Sequence, residues 1–201
     1  RGFYVGAYYS QNKKDADVAP FADFVTFVYD YFSFIPTQST TSFDTKDSGY
    51  GFFGGYRLFN NLAFEGGYVD QGSVVYRDQS TGIDNEIGQS TWTQKVSSES
   101  KSMSVSALGI LPLSYRSEVF VRGGIMFTNS ILDLHISNGT DSASDETHES
   151  DTDFLAGIGA GFTFAEIYTV RIEYQRVFDA GDENTDEADL DMAIIGVTVA
   201  F

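Results

Sequence analysis

The chain has 201 residues, no cysteine, and 29 acidic against 12 basic side chains, which gives a formal net charge of −17. That charge argues against a nucleic-acid binder, which needs a basic face, and the lack of cysteine excludes disulfide scaffolds and thiol nucleophiles. No run approaches the roughly 18 apolar residues of a membrane helix. A membrane β-barrel is not excluded, because its strands alternate apolar with polar residues.

Eight strand-like runs follow one another along the chain, and they are rich in Val, Ile, Phe, Tyr and Thr. Several alternate with a period of two. In the last run, Ile195 and Val197 share an apolar face, whereas Gly196 and Thr198 lie on the other. The predicted strands cover residues 2–10, 49–58, 62–70, 102–111, 118–127, 153–164, 170–178 and 191–201.

The connections between these runs alternate in length. They are short after the second, fourth and sixth strands, and after the others they span about 38, 31, 25 and 12 residues. Membrane barrels have short periplasmic turns, long external loops and an even number of strands. The sequence therefore predicts an all-β fold with one domain over residues 1–201: a membrane-spanning, antiparallel, up-and-down β-barrel of eight strands. Its glycine-rich inward faces suit a narrow lumen.

Acidic residues are concentrated in two predicted external loops, residues 138–153 and 179–191, and neither contains Lys or Arg. Carboxylates can ligate calcium or magnesium, but the second loop does not match an EF-hand. Two interpretations stay open: loose association with divalent cations that bridge to lipopolysaccharide phosphates, or solvated acid that keeps the outer surface soluble. No defined metal site and no cofactor is predicted.

The first external loop contains an unusual aromatic segment, residues 20–36. It could extend the barrel hairpin or pack over the mouth, or it could insert into the outer leaflet or contact a partner. The segment could also form an additional strand, but a single additional strand would make the number of strands in the barrel odd. The predicted contact residues are Phe21, Phe24, Phe27, Tyr29, Tyr31, Phe32 and Phe34.

The chain has two histidines, His135 and His148, which are candidates for the catalytic base of a Ser-His-Asp set. His148 has Ser142, Ser144 and Ser150 nearby in the sequence, but loops rich in Ser and Asp produce such sets by chance. No nucleophile elbow is present. We therefore predict that the protein is not an enzyme, and a lipid-modifying barrel enzyme is the least favoured hypothesis.

The segments 49–68 (GYGFFGGYRLFNNLAFEGGY), 107–127 (ALGILPLSYRSEVFVRGGIMF) and 170–175 (VRIEYQ) resemble the eight-stranded transmembrane domain of outer membrane protein A and its small barrel relatives. Phe201, preceded by apolar residues at alternate positions, resembles the signal read by the outer-membrane assembly machinery. The resemblance implies a monomer in the outer membrane of a Gram-negative bacterium, in contact with lipid and lipopolysaccharide.

The same resemblance implies an ionic network inside the lumen. Glu65 and Arg171 would point inward and pair, with Arg122 and Glu173 near them. The family's usual further partners are missing, because the matching positions fall at Ala107 and near Gly161. The network is expected either to fill and rigidify the lumen or to act as a gate for small ions.

Two functional hypotheses follow from this predicted barrel. The first is a structural protein for envelope integrity that also has an adhesin-like role, in which the aromatic and acidic loops contact host or cell-surface molecules. The alternative is a small ion-conducting pore lined by Glu65, Arg122, Arg171 and Glu173.

Overall fold

A computed structural model of the chain describes residues 2–14, 19–31, 33–45, 48–84, 88–138, 142–180 and 188–201. Within these ranges the chain forms nine strands and one helix. In chain order they are β1 (Gly2–Lys14), α1 (Ala19–Tyr31), β2 (Phe34–Thr45), β3 (Ser48–Phe59), β4 (Leu62–Asp84), β5 (Gly88–Pro112), β6 (Ser117–Ser137), β7 (Ser142–Phe164), β8 (Tyr168–Ala180) and β9 (Ala188–Ala200).

Eight of the strands close into an antiparallel ring, in the order β1, β3, β4, β5, β6, β7, β8, β9, with β9 paired to β1. Side chains alternate as expected for a barrel: Phe64 and Val121 are exposed on the outside, whereas Glu65 and Phe120 are buried inside. The tight turns between β3 and β4, β5 and β6, and β7 and β8 share one end of the barrel, which we call the turn end. The predicted eight-stranded barrel is confirmed.

At the opposite end the strands run further than predicted. Strands β4 and β5 stay paired up to Asp84 and Gly88, and β6 and β7 stay paired up to Ser137 and Ser142. Most of residues 71–101 and 128–152, which were predicted as loops, is therefore strand, and that prediction was wrong. These segments form strands although most of their residues are polar, because apolar residues still occur at inward-facing positions. Trp92 on β5, for example, is buried.

Strand β2 is additional to the ring, but it does not change the even count. It pairs with β4 between residues 74 and 84, whereas β3 pairs with the same edge of β4 only up to Asp70. Between these two stretches, the register of β4 shifts at residues 70–73, where Gly72 has a φ of +88°. The segment above this shift is a five-stranded sheet of β2, β4, β5, β6 and β7, which we call the upper sheet.

Helix α1 packs on the face of the upper sheet that carries Tyr76, Trp92 and Val96. Among the interpretations left open for the segment 20–36, the structure favours packing over the mouth, because most of the segment forms this helix on the upper sheet. Val25, Val28 and Tyr29 lie at helical spacing on one side and are buried against the sheet. The cap cluster, as we call it, contains Val25, Val28, Tyr29, Phe34, Tyr76, Trp92 and Val96, with Leu132, Leu134 and Ile136 packed against it.

The predicted aromatic contact residues divide into two groups. Phe27 and Tyr31 are exposed, but Tyr29 and Phe34 are buried in the cap cluster, where apolar burial favours them. The prediction that the segment's aromatic residues contact a partner is therefore wrong for Tyr29 and Phe34. Phe32 and the side chains of Phe21 and Phe24 lie outside the described part of the chain. Within the described residues, the single helix is shorter than the 18 residues needed to span a membrane.

Candidate functional site

Side chains fill the lumen of the ring in three layers. An apolar layer near the turn end contains Ala63, Leu108, Ile110 and Phe120, with Tyr4 beside them. A second apolar layer lies toward the upper sheet and contains Met126, Leu155, Val177, Leu190, Met192 and Ile194, with Tyr8 beside them. The ionic side chains predicted to meet inside the barrel lie between these two layers.

Glu65 on β4 is the centre of the ionic layer. Its two carboxylate oxygens bind different cations: Oε2 lies 2.5 Å from Nη2 of Arg122, and Oε1 lies 2.6 Å from Nη1 of Arg171. The hydroxyl of Tyr4 also donates a hydrogen bond to Oε1, at 2.7 Å. The carboxylate is buried, so these donors replace the water that it has lost.

Glu173 on β8 completes the layer as a second anion. Its Oε1 lies 2.5 Å from Nε of Arg122, and its Oε2 lies 3.4 Å from Nη2 of Arg171. The amide of Gln175 donates a further bond to Oε1, at 3.0 Å. The structure thus brings together all four residues that the sequence singled out, as a neutral set of two anions and two cations.

One lumen position inferred from the resemblance was wrong. The inward residue on β5 is Ser106 and not Ala107, because Ala107 pairs with the outward-facing Phe64. The hydroxyl of Ser106 accepts a hydrogen bond from Nη1 of Arg122 at 2.6 Å. A slip of one residue moves a side chain to the other face of a strand, so sequence matching missed this partner.

Two aromatic rings lie close to the guanidinium group of Arg171. Its guanidinium carbon lies 4.4 Å from the ring centroid of Phe120 and 5.1 Å from that of Phe53. Both distances are in the range of cation–π attraction. The glycine-rich strands make room for these rings: a Cβ at Gly159 would lie 2.3 Å from Cζ of Phe120.

Little space remains beside the ionic layer. A cavity of about 30 Å³ is lined by Glu65, Arg122, Met126 and Glu173, among others, which is room for one or two water molecules. The apolar layers above and below would strip the hydration shell from any ion that passed, and charges are costly in such surroundings. This arrangement favours a filled lumen over a pore.

The purified barrel is therefore expected to show no discrete conductance steps in a planar lipid bilayer, because an ion would have to cross two apolar layers. A known conducting porin, reconstituted in the same way, serves as the positive control. Reproducible openings would contradict this expectation, and a change in their conductance or frequency in the charge-balanced variant Glu65→Gln/Arg122→Met would support the gate.

A second buried carboxylate, Asp78 on β4, joins α1 and β2 to the upper sheet. The hydroxyl of Tyr29 donates a hydrogen bond to its Oδ2. Ser39 and Thr41 of β2 donate to Oδ1 at 3.0 and 2.9 Å, and Ser80 donates to Oδ2 at 2.9 Å. Four hydroxyl donors from three elements thus converge on one carboxylate, so Asp78 fixes the helix to the sheet.

This contact predicts alkaline sensitivity of the cap cluster. Burial, together with the hydrogen bond to Asp78, raises the pKa of Tyr29, and burial likewise raises the pKa of Tyr76. Stabilisation by the neutral hydroxyl is complete below the unfolded pKa of about 10 and is lost as pH rises through the folded pKa. Trp92, the single tryptophan of the chain, should shift its emission to the red above about pH 10.

The matched control for this titration is Tyr29→Phe, which removes the ionising group next to Asp78. Its Trp92 emission should change less with pH in the same range, with Tyr76 as the remaining contribution. An identical shift in both proteins would show that Tyr29 does not carry the effect.

The two histidines and the serines near His148 do not form a catalytic arrangement in the described part of the chain. His148 lies 2.9 Å from Glu146, and both are exposed, whereas His135 pairs with Ser144 across the sheet. The hydroxyl of Ser150 donates to Asn129. Among the described residues, no group of three or more metal-ligating side chains could hold an ion. The backbone N–H of Phe201 donates to Phe3 at the turn end, and its ring is exposed.

The comparison with solved structures finds the same fold in outer-membrane barrels. Neisserial surface protein A is 14% identical with a TM-score of 0.56, over 100% of this chain and 98% of that one. Ail, the attachment invasion locus protein of Yersinia pestis, is 14% identical with a TM-score of 0.50, over 100% and 97% of the two chains. A search of curated proteins finds no match.

A family model gives the assignment. The model described as the OmpA-like transmembrane domain matches residues 2–201, which includes all eight strands of the ring. Family and fold together place the barrel in the bacterial outer membrane, with the turn end in the periplasm and the upper sheet outside. This protein belongs to the OmpA-like transmembrane domain family.

Proposed function

We propose that the protein is a closed outer-membrane anchor that presents the upper sheet for contact with molecules or cells outside, in an adhesin-like role. The observation that carries this proposal is the continuation of β4, β5, β6 and β7 beyond the ring as a braced sheet. An anchor alone needs only strands that cross the bilayer. The additional strand length therefore has a purpose outside the membrane.

The upper sheet suits recognition because it is held rigid. The cap cluster packs α1 onto it, and Asp78 ties α1, β2 and β4 together. A surface that is ordered before binding loses less conformational entropy when a partner docks. The exposed rings of Phe27 and Tyr31 lie 6.3 Å apart on α1, and exposed aromatic side chains are frequent in binding surfaces.

The fold of Ail, which is described as an attachment invasion locus protein, is consistent with such a role. At 14% identity, the likeness to Ail shows the fold alone. A role of this chain in attachment is therefore part of our proposal. We also propose an envelope role, in which outward apolar residues such as Phe64 and Ile158 hold the barrel in lipid and Phe201 is read by the assembly machinery.

The test is to remove the upper sheet and keep the ring. In the trimmed variant, tight turns replace residues 73–99 and 130–151, and the segment 15–47 is shortened to a linker. Bacteria that display the full chain should adhere to host-cell monolayers, and bacteria that display the trimmed barrel at equal level should not. Heat-modifiable migration on a gel serves as the control for barrel closure. Equal adhesion by both strains would remove the upper sheet from the function.

A further inference from the structure

The outer face of the upper sheet carries basic side chains at one level of three neighbouring strands. Arg77 of β4 lies directly opposite Lys95 of β5, and Lys95 lies directly opposite His135 of β6. In all three strands the adjacent residues belong to the cap cluster or pack against it, so these three side chains point to the opposite, outward side. We call them the basic row. Neighbouring strands are about 4.8 Å apart, so the row spans about 10 Å.

The basic row is not neutralised within the described ranges of the chain. There, Arg77, Lys95 and His135 form no ion pair, although the chain has 29 acidic against 12 basic side chains. By contrast, Arg176 on the outside of β8 is paired with Asp191 at 2.7 Å. Like charges directly opposite each other destabilise a sheet. The contact between Arg77 and Lys95 is therefore unfavourable in the free protein, and an anion bound between them would relieve it.

The residues on either side of the basic row indicate what kind of anion it suits. On the side away from the membrane, Gln79 lies opposite Thr93, and these side chains offer an amide and a hydroxyl group to the hydroxyl groups of a sugar. On the membrane side, Asp133 lies opposite Glu146, and both are exposed. Like charges repel, so this acidic pair disfavours a densely sulfated chain. A sugar that carries a single carboxylate fits both neighbours.

We propose that the basic row binds the carboxylate of an acidic sugar, of the uronate type, in a glycan on the surface of another cell. The guanidinium group of Arg77 can hold a carboxylate through two parallel hydrogen bonds, and Lys95 adds a second cation beside it. His135 can donate a hydrogen bond in its neutral form as well as in its charged form. This inference rests on the proposed surface role and names the chemistry of the partner.

The test measures binding of two fluorescent hexasaccharides to the detergent-solubilised full chain by anisotropy. The first is unsulfated and carries a uronate in each disaccharide unit. The second has the same backbone, but its carboxyl groups are reduced to alcohols, so it keeps the hydroxyl groups and loses the charge. The wild-type chain should bind the uronate hexasaccharide about tenfold more tightly, because hydrogen bonds to charged groups are stronger than those between neutral groups.

Arg77→Gln and Lys95→Gln locate this preference on the basic row. Each should weaken binding of the uronate hexasaccharide about tenfold. Each should also leave the urea transition of Trp92 emission in place or move it to higher urea, because one of two opposed like charges is removed. The matched control is Lys101→Gln, on the same face of β5 roughly 20 Å along the strand. Lys101 lies opposite Asp70, and its variant should bind as the wild type does.

Three results would overturn the proposal: equal binding of both hexasaccharides to the wild type, an unchanged preference in both Arg77→Gln and Lys95→Gln, or an equal loss in Lys101→Gln. The last would mean that any cation on this face attracts the hexasaccharide. If the preference is absent but the trimmed variant still loses adhesion, only this inference is wrong. An intact preference with equal adhesion by the full and trimmed chains would instead contradict the proposed surface role, so the two ideas fail separately.

Discussion

Replacing Glu65 with glutamine is expected to lower the free energy of unfolding of the barrel by about 3–5 kcal/mol. The substitution leaves two buried guanidinium groups, of Arg122 and Arg171, with Glu173 as their only carboxylate. Breaking a buried pair is costly because the remaining charge is neither solvated nor balanced. The measurement is urea unfolding of the barrel in lipid vesicles, followed by heat-modifiable migration.

The matched control is Glu118→Gln at the turn end. Glu118 pairs with Arg57 at 2.8 Å, but the two side chains keep 22% and 28% of their exposure. A pair in contact with water is worth about 0–1 kcal/mol, so this change should be small. The double variant Glu65→Gln/Arg122→Met restores the charge balance and should recover part of the loss. Equal costs for Glu65→Gln and Glu118→Gln would show that burial does not set the strength of the network.

The second large effect is expected from Phe34→Ala, which should weaken docking of α1 by about 3–5 kcal/mol. Phe34 is 4% exposed, and its ring centroid lies 5.0 Å from that of Tyr29 and 5.7 Å from that of Trp92. Its removal leaves a cavity between the helix and the upper sheet. Trp92 emission should shift to the red at lower urea concentration than in the wild type, whereas closure of the ring should persist.

Phe27→Ala is the control for this second prediction, because Phe27 lies on the side of α1 that faces away from the cap cluster and is 63% exposed. Its effect on the Trp92 transition should stay within about 0.5 kcal/mol. If both variants shift the transition equally, the cap cluster is not the main support of α1.

The ring could be predicted from the sequence because the features that specify it lie within single strands and within the short turns between neighbouring strands. Alternation in residues such as Ile195, Gly196 and Val197 fixes two faces of a strand, and the short turns fix antiparallel neighbours. Inward placement of Glu65 and Arg171 came from the family resemblance. The contacts of Tyr4 and Ser106 with the network depend on register between strands far apart in the chain, which alternation alone does not provide.

Helix α1 was missed because its residues favour strands when taken singly. Residues 25–29 are β-branched or aromatic, and such residues are enriched in strands. Val25, Val28 and Tyr29 favour a helix only when the sheet around Trp92 is present to bury them. Tertiary packing therefore overrides the strand preference of the single residues. The extension of β4 to β7 was missed for a related reason, since its polar residues gave little apolar alternation.

The register shift at residues 70–73 of β4 has an evolutionary consequence. Below the shift, side chains contact lipid on one face of the strand and the crowded lumen on the other. Above the shift, they contact only α1 and the aqueous surroundings. Since β2 and β3 meet β4 on either side of this level, the two halves share few cross-strand pairs. The outer half can therefore change in sequence, or be grafted as a module onto another eight-stranded ring, while the membrane half stays unchanged.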